Sequence, residues 1–599
     1  MTEGPIGPED FQHVTQDFIF GDLSSNESLV QDLTAAGTGL RHRSRTVPAV
    51  PRADEPVVIE CAVGADVSVH TAEVIYTTDG SLPDSSSTAV PMRLHATDWL
   101  ELNWTYGECW RGQIPPQPEG TLVRYRIRAT TIQGDTIWAD PNAHSGEAGL
   151  FAYWLGDSDP PAWLREAVIY QIFVDRFATT GGASLRDGES LADFFGGTID
   201  GVRERLAYLR ELGVTCLWLS PLFPSPTHHG YDATDYVSVE PRLGTQQQLQ
   251  ALIEEAHALG MRVLLDFVAN HCSDQHPSFR QALADPESCE RAMFSFSGDT
   301  YQSFFDVGTM PKFALDRAPA MAYVLDAAGY WVRLGVDGYR LDYAMGPSHA
   351  FWAAFRSAVR TINPEAALIG EVTGSAAQLA TYEGRLDGAL DFLLLQALRG
   401  FVAFDLIDSD AFGRFLERHF RYFSARLVLP SFLDNHDMNR FLWAVRGDVR
   451  RLKLAALLQF MLPGPPIIYY GTEVGVTQIR DLQHPDGSRK LEESRTPMVW
   501  GPDQNADLLD FYRLLIRQRK LIRQRLNAVP VVVALEDPEV LVLGVGPGMY
   551  VAVNRSRVYK SVSLPSEALT IALSTDEGID FDASMANLPP LSGCLLVHR

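Results

Sequence analysis

Cysteine is scarce in this chain, which has six among 599 residues and no Cys-x-x-Cys pair. Cys61, Cys216 and Cys594 lie among apolar residues, as buried free thiols do. The scarcity argues against a disulfide framework and against a zinc ribbon. It is typical of a reduced compartment, so we expect a cytoplasmic protein.

Long apolar segments and positive charge are also in short supply. The longest apolar run, LLQFMLPGPPIIYY, is broken by proline and glycine, and a membrane-spanning helix needs roughly 18–20 uninterrupted apolar residues. The opening residues MTEGPIGPEDFQ contain no basic region followed by an apolar one, so no secretory signal is predicted. Lysine and arginine number 50 against 75 acidic residues, a net charge of −25. Because the electric field of a strongly negative protein repels phosphate groups, we expect neither a nucleic acid nor a membrane as a partner.

Two segments with the pattern of β structure enclose a longer segment of a different kind. Residues 51–158 contain short runs of β-branched and aromatic residues between turn residues, which predict an N-terminal β-sandwich. Residues 527–599 have a similar pattern and predict a C-terminal β-sandwich domain. Residues 1–50 carry little periodic signal and are assigned to an N-terminal extension.

The central segment, residues 159–526, alternates apolar strands with amphipathic helices. Continuously apolar strands are typical of a parallel sheet buried on both faces, and the simplest such α/β fold is a closed (β/α)8 TIM barrel. The strand candidates are 167–174, 214–220, 262–268, 336–342, 367–372, 386–392, 427–434 and 466–471. The helix candidates are 201–212, 245–260, 318–335, 348–361, 375–382, 408–422, 447–462 and 505–525. The long connection after the third strand, at about 271–317, predicts an inserted domain.

Charged residues gather where four of these strands end. The third strand ends in DFVANH, the fourth in GYRLDY, the fifth in IGEV and the seventh in FLDNHD. The active site of a TIM barrel lies at the carboxyl ends of its strands. Charges are costly to bury unless they are paired or used. Convergence of Asp342, Glu371 and Asp437 on one barrel mouth therefore indicates a catalytic site, with a structural ion-pair network as the alternative.

Asp342 and Glu371 differ in their sequence surroundings. Arg340 and Asp342 are two residues apart on a strand and face the same side, so the guanidinium is expected to lower the pKa of Asp342 and suit it as a nucleophile. Glu371 lies in an apolar run with no cation beside it, so burial is expected to raise its pKa and keep it protonated. Glycoside hydrolysis uses a pair of carboxyls with different pKa values, one protonated and one ionised.

The four segments, in this order, resemble the four sequence regions of the alpha-amylase family, glycoside hydrolase family 13. The resemblance spans about 163–525, and the insert after the third strand resembles that family's domain B. It implies a retaining reaction in which Asp342 forms a covalent glycosyl-enzyme and Glu371 serves as general acid and base. Asp437 would bind hydroxyl groups of the sugar in subsite −1, and the two reacting carboxyls would lie about 5–5.5 Å apart.

The resemblance also implies a set of substrate-binding residues. His271 and His436 would hydrogen-bond the same sugar, and Arg340 would support the nucleophile. Tyr231, in the segment HHGYDATDY, would stack against the face of the sugar. His229 of that segment is assigned to the substrate site as well. For both of these residues, packing without substrate contact is the alternative.

Two features resemble the cyclomaltodextrinase, neopullulanase and maltogenic amylase group of the family. They are the tripeptide MPK at 310–312 and the presence of an N-terminal β domain. The chain departs from that group where FAL follows MPK in place of Leu-Asn, and where YAMGPSH follows the nucleophile in place of Val-Ala-Asn-Glu. The second departure lines the acceptor side, so the resemblance does not fix the preferred linkage or acceptor.

Three functions are weighed. The first is hydrolysis of α-1,4 bonds, with α-1,6 bonds as an additional linkage, in maltodextrins, cyclodextrins or pullulan, accompanied by transglycosylation. The second is an α-glucan transferase or isomerase of the trehalose synthase or glucanotransferase type. The third is a non-catalytic binding subunit, which predicts missing acids, whereas all three are present. The resemblance further implies a homodimer formed through the N-terminal domain.

No cofactor and no tightly bound metal are expected. Some alpha-amylases bind calcium between domain B and the barrel through an asparagine that matches Asn270 and a histidine a few residues after the nucleophile. Position 346 is glycine here. The loop DRFATTGGASLRDG after the first strand also lacks the Asp/Asn-rich spacing that binds calcium in relatives.

Overall fold

The computed structural model describes residues 26–35, 37–140, 149–186, 190–534, 537–565, 568–582 and 584–598. The first 25 residues of the predicted N-terminal extension lie outside these ranges. The order of elements is a β domain, a barrel of alternating strands and helices, and a second β domain.

Antiparallel strands build the N-terminal β domain. Their bounds are Leu40–Arg41, Thr46–Val47, Val57–Val63, Val69–Thr77, Thr88–Leu100, Thr105–Ile114, Leu122–Thr131, Thr136–Trp138 and Phe151–Trp154. The long strand Thr88–Leu100 pairs with Val69–Thr77 and with Thr105–Ile114, and so joins the two halves of the domain. Buried and half-buried residues alternate along Leu122–Thr131, which places every second side chain in the core. The first two strands precede residue 51, so part of the predicted extension pairs with this domain.

Parallel strands of the central segment form the predicted barrel. Six successive strands pair each with the next, and a last strand pairs with the first. They are Ile169–Ile172, Cys216–Leu219, Arg262–Phe267, Gly338–Leu341, Ala367–Gly370, Gly388–Ala389 and Ile467–Tyr469. Apolar side chains such as Ile169, Trp218, Leu264 and Ile369 point inward and fill the interior. This core supports the side chains that lie at the carboxyl ends of the strands.

The seventh predicted strand, 427–434, does not form a regular strand. Its contacts are single bridges, from Val428 to Gly388 on one side and from Ser431 to Pro466 on the other. Pro430 has no N–H to donate, so a continuous ladder cannot run through this segment. The bridges nevertheless connect the sixth strand with the last one. The ring is closed, and the (β/α)8 fold class is confirmed.

Helices lie between the strands as predicted. Those at the predicted positions are Ile199–Glu204, Leu206–Leu212, Gln246–Ala258, Ala318–Leu334, His349–Ile362, Ala376–Ala380, Ser409–Tyr422, Val449–Met461 and Ala506–Ile522. Polar N-cap side chains begin many of them, and Thr245 with Gln248 forms a complete capping box. Gly335 ends one helix in the left-handed conformation. Within the described ranges, no helix is long and apolar enough to cross a bilayer.

The connection after the third strand forms a small unit over the barrel mouth. It contains the helix Pro277–Ala284 and two short hairpins, Phe296–Ser297 with Thr300–Tyr301 and Ser303–Phe304 with Val307–Pro311. At the other end of the chain, five strands and three strands form two sheets around a shared apolar core. Their bounds are Val531–Ala534, Val540–Gly546, Met549–Asn554, Lys560–Ser563, Leu569–Ser574, Asp580–Asp582, Met585–Leu588 and Ser592–His598. The C-terminal β domain is thereby confirmed.

Candidate active site

The carboxyl ends of the fourth and fifth barrel strands bring the two predicted reacting carboxyls together. These strands run in parallel with Leu341 paired to Gly370, so the next residues, Asp342 and Glu371, are neighbours at the mouth. The Glu371 amide donates to Leu341 O at 2.9 Å and fixes this register. Asp342 is 7% exposed and Glu371 is 1% exposed, so the nucleophile candidate is the more accessible of the two.

Arg340 is the common partner of the carboxyls. Its Nη1 donates to Asp342 Oδ1 at 3.0 Å and to Asp266 Oδ1 at 2.8 Å. Its Nη2 lies 2.6 Å from Glu371 Oε1, an ion-pair contact without the alignment of a hydrogen bond. The Tyr343 amide donates to the other oxygen, Glu371 Oε2, at 3.0 Å. Asp342 and Glu371 thus flank one guanidinium instead of pointing into separate cavities.

The pKa shifts of Asp342 and Glu371 differ in part from those expected from the sequence. Burial raises the pKa of Glu371 to about 7, as expected, although Arg340 opposes the shift. Burial also raises the pKa of Asp342 well above its usual range, with Glu371, Asp266 and Asp437 adding to the shift. The expectation of a lowered pKa for Asp342 is wrong, because burial outweighs the opposing effect of Arg340, which also contacts two other carboxyls. Each carboxylate disfavours ionisation of the other, so loss of the proton from one of them raises the pKa of its neighbour.

Asp437, the third predicted acid, has its own cationic partner. Arg495 Nη2 lies 2.9 Å from Asp437 Oδ1, and His436 Nε2 lies 2.9 Å from Asp437 Oδ2. Burial favours the neutral acid, but His436 and Arg495 outweigh it and hold the pKa of Asp437 well below its usual range. An ionised, fixed carboxylate is suited to accept hydrogen bonds from sugar hydroxyls.

Sequence reasoning missed Arg495. It follows the short helix Leu491–Ser494 and lies 58 residues beyond Asp437 in the chain. It is buried, and its Nε donates to His436 O at 2.9 Å while Nη2 holds the carboxylate. No strand, helix or spacing in the sequence marks this position. Only the need of the buried Asp437 for a cation could have prompted a search for it.

Tyr231 belongs to a hydrogen-bond network beneath the acids. Its hydroxyl donates to Asp266 Oδ2 at 2.9 Å and lies 2.5 Å from His436 Nε2. Trp218 Nε1 donates to the same Asp266 oxygen at 3.1 Å. The rings of Tyr231 and His436 are nearly parallel, at 8°. Three elements of the barrel therefore hold the Tyr231 ring, which is half-buried, in one orientation at the mouth.

The two remaining histidine candidates lie beside these groups. His271 stacks on Phe304 of the inserted unit, with ring centroids 4.4 Å apart, and burial lowers its pKa to about 3. His229 Nδ1 accepts from the Tyr231 amide at 3.1 Å, and burial likewise lowers the pKa of His229 to about 3. Both rings are neutral. His229 supports the backbone of Tyr231, whether or not it touches a sugar.

The calcium site of some alpha-amylases does not fit the residues present. A Cβ built on Gly346 would lie 2.3 Å from Asn270 Oδ1, so a histidine at this position would have to displace the Asn270 side chain from its place here. Asn270 Nδ2 lies 3.2 Å from His271 Nδ1 and so contacts a neighbouring side chain. Among the residues that the structure describes, no three His, Cys, Asp or Glu side chains are grouped to hold a metal ion.

Residues 171–520 match the family model described as alpha amylase, catalytic domain. The chain belongs to the alpha-amylase family. Alpha-amylase 2 of Dictyoglomus thermophilum is 33% identical to it over 514 residues, which cover 85% of this chain and 86% of that protein. The cyclomaltodextrinase of a Bacillus species is 36% identical over 482 residues, covering 75% of this chain and 83% of that one. The resemblance stated from four short motifs is confirmed.

Solved structures of the family have the same architecture. A cyclomaltodextrinase structure aligns with a TM-score of 0.65 at 26% identity and covers 93% of this chain and 99% of its own. The cyclic alpha-maltosyl-(1→6)-maltose hydrolase of Arthrobacter globiformis aligns with a TM-score of 0.64 at 29% identity and covers 73% and 99%. The chain is thus an alpha-amylase-family glycoside hydrolase, similar to enzymes of the cyclomaltodextrinase type.

Proposed function

We propose that this protein hydrolyses α-1,4 glucosidic bonds of maltodextrins or cyclodextrins with retention, with α-1,6 bonds of pullulan as an additional linkage. The observation that carries the proposal is the shared guanidinium: Asp342 and Glu371 both contact Arg340 at one barrel mouth. The names of the relatives, which include a neopullulanase of Thermoactinomyces vulgaris, support the substrate class.

In the first step, an oxygen of Asp342 attacks the anomeric carbon while Glu371 gives its proton to the glycosidic oxygen. The bond to the leaving sugar breaks, and a glycosyl ester of Asp342 forms. In the second step, Glu371 takes a proton from water, and the hydroxide attacks the anomeric carbon and releases Asp342. The negative charge moves from Asp342 to Glu371 and back. Because Arg340 contacts both carboxyls, the same cation stabilises the negative charge on either of them.

The other residues of the mouth fit a single sugar in subsite −1. Asp437, fixed by Arg495, would accept hydrogen bonds from hydroxyls on one edge of the ring. Tyr231 would supply the stacking face, and neutral His271 would offer an N–H donor. The contacts of both His436 nitrogens are to protein groups, so His436 would act by holding Tyr231 and Asp437. These groups surround the anomeric carbon instead of the leaving sugar. Their contacts would therefore strengthen as the ring flattens toward the transition state.

Phe305 and Tyr343 form an aromatic surface near Glu371. Phe305, which is 58% exposed, lies at the tip of the hairpin of the inserted unit, and its ring centroid is 5.2 Å from that of Tyr343. The Tyr343 amide holds Glu371, so an acceptor sugar that approaches Glu371 would pass near this surface. Aromatic faces bind sugar rings better than they bind water. This supports transglycosylation as an accompaniment to hydrolysis.

Replacing Phe305 with alanine is expected to shift the products from transfer toward hydrolysis by several-fold, because the acceptor sugar loses its platform while water does not. Chromatography of products from β-cyclodextrin with added maltose measures the ratio. The matched control is Tyr422→Ala, which removes an exposed aromatic residue from a barrel helix. An unchanged ratio in the Phe305 variant would contradict an acceptor role.

The proposed function itself is tested by incubation with β-cyclodextrin, pullulan, starch, maltose and sucrose. Chromatography identifies the products, and NMR of fresh product identifies the anomer. Glucan oligosaccharides released with the α configuration are the expected result. Products of the β configuration would contradict retention. A predominance of trehalose or of larger glucans would favour an isomerase or a transferase.

We also propose that the protein is cytoplasmic and forms a homodimer through its N-terminal domain. Relatives named intracellular maltogenic amylase support the first statement, together with the scarcity of cysteine. An exposed aromatic cluster supports the second: the ring centroids of Trp104 and Tyr106 lie 5.5 and 5.0 Å from that of Trp99 on the N-terminal domain. Light scattering in solution measures the oligomeric state.

A further inference from the structure

Gln171 is a buried amide at the top of the barrel interior. It lies on the first barrel strand, where alternation points Ile169 and Gln171 inward and Tyr170 outward. Its neighbours in register on the adjacent strands are Trp218 and Tyr469. Gln171 is 3% exposed. A polar group in such surroundings is costly unless a specific partner needs it.

The partner is the His436 ring. Gln171 Nε2 lies 2.7 Å from His436 Nδ1. Within the described residues, the other amide atom of Gln171, Oε1, has no hydrogen-bond partner. The donor N–H is therefore the part of the side chain that the site uses.

The contacts of Nε2, the other nitrogen of the His436 ring, show which of the two nitrogens carries the hydrogen. His436 Nε2 lies 2.5 Å from the Tyr231 hydroxyl, whose own hydrogen goes to Asp266, so this hydroxyl accepts from Nε2. Nε2 also lies 2.9 Å from Asp437 Oδ2, and an ionised carboxylate only accepts hydrogen bonds. Nε2 must therefore carry a hydrogen.

Two titratable side chains near the His436 ring are Tyr231 and His229. The charged groups around it are Asp437, which favours its protonated form, and Arg495 and Arg340, which oppose it. Burial lowers the pKa of His436, so the ring is neutral and Nδ1 is a bare acceptor that requires a donor.

We propose that Gln171 is a positioning residue that keeps the hydrogen of His436 on Nε2 and thereby directs Asp437 toward the sugar. The inference rests on the proposed function. Without the Gln171 donor, the hydrogen can move to Nδ1. The lone pair of Nε2 then faces the Tyr231 hydroxyl and the Asp437 carboxylate with no hydrogen to offer, so its contact with Asp437 becomes repulsive. Asp437 would lose one of its two supports and hold the distorted sugar less firmly.

The first test is Gln171→Met, which keeps the length of the side chain and removes the donor. We expect kcat on a maltodextrin to fall about 10–100-fold, the range seen for groups that orient a site residue. KM should change much less, because Asp437 acts mainly on the distorted sugar. Affinity for a transition-state-like inhibitor such as acarbose should fall in parallel with kcat/KM.

Gln171→Glu supplies a readout that a merely structural role would not give. A carboxylate in this place cannot donate to Nδ1, whereas a protonated carboxyl can. The ratio of the variant's kcat/KM to that of the wild type should therefore rise as the pH falls. A pH-independent ratio would overturn the inference, even if Gln171→Met failed to fold.

The matched control is Gln459→Met. Gln459 is another buried barrel amide, and its Nε2 donates to the carbonyls of Ser431 and Ile467 instead of to a catalytic group. This variant should melt at a lower temperature with unchanged kcat, KM and pH profile. A folded Gln171→Met protein with wild-type kcat overturns the inference alone. A wild-type protein that does not turn over any α-glucan overturns the proposed function instead.

Discussion

Asp342→Asn is expected to reduce turnover of α-glucans by about 10⁴-fold or more, because it removes the carboxylate that forms the covalent bond in the proposed mechanism. The substitution is nearly isosteric. The amide oxygen can still accept from Arg340 Nη1, which donates to Asp342 Oδ1 at 3.0 Å in the wild type. The fold and the shape of the pocket should therefore survive. What is lost is the negative charge that attacks the anomeric carbon, and a neutral amide cannot replace it.

The decisive measurement is the mass of a trapped intermediate. A fluorinated glucosyl fluoride reacts in the first step and resists the second, so wild-type protein should gain the mass of one fluoroglucosyl group on the peptide that contains Asp342. The Asp342→Asn protein should gain none. Labelling of the variant at the wild-type rate would assign the nucleophile to another residue.

Asp387→Asn is the control for loss of a buried acidic charge. Asp387 is buried at the amino end of the sixth strand, where Arg356 and Arg360 lie 2.9 and 2.6 Å from its Oδ1. It is one of the barrel's most enclosed carboxylates and lies far from the mouth in the fold. Removing its charge leaves two buried cations without their partner and should lower the melting temperature. Protein that remains folded should still be labelled on Asp342.

The sequence predicts well whatever depends on the repeat of strand and helix. Continuous apolar runs placed Asp342 and Glu371 at strand ends, and parallel pairing then made them neighbours. The same reasoning failed for residues 427–434, since the chain passes Pro430 and contacts its neighbours through single bridges. A run of apolar residues indicates burial, whereas a regular β ladder also needs an uninterrupted row of backbone N–H donors.

Contacts between strands that are distant in the chain, and contacts made by loops, could not be predicted from the sequence. The raised pKa of Asp342 comes first from burial and then from carboxyls on other segments, none of which is adjacent to it in the chain. Arg495 reaches Asp437 from a loop, and Phe304 reaches His271 from the inserted unit. Gln171 stood within an apolar strand, so its polar role was invisible without its partner. Each of these contacts is set by three-dimensional packing.

Glu371→Gln is expected to lower kcat on maltodextrins by about 10²–10⁴-fold, the usual contribution of general acid catalysis. Glutamine keeps an oxygen near Arg340 but has no acidic proton for the leaving sugar. Binding should change little, because in the proposed mechanism Glu371 contacts the bond that breaks instead of the sugar hydroxyls. Acarbose affinity measured by calorimetry checks this separation of binding from turnover.

A change of leaving group separates proton donation from every other role of Glu371. Fluoride needs little protonation to depart, so the first step on α-glucosyl fluoride should survive in the variant. The second step then lacks a base to activate water. Azide needs no base, so adding it should restore turnover and give α-glucosyl azide. If azide leaves the rate unchanged, a role in proton transfer is contradicted.

The pH profile gives a third signature with a definite sign. Burial raises the pKa of Glu371 to about 7, so the side chain holds its proton below that pH and loses it above. Wild-type kcat/KM on a maltodextrin should therefore fall on the alkaline side with a midpoint near 7. The variant has no proton to lose, and its first step on α-glucosyl fluoride should lack this limb. Because Asp342 must be ionised to attack and its pKa is also raised, the acid limb should remain in the variant and lie above the usual range of an aspartate. An alkaline limb that persists in the Glu371→Gln protein would mean that the titrating proton belongs to another group.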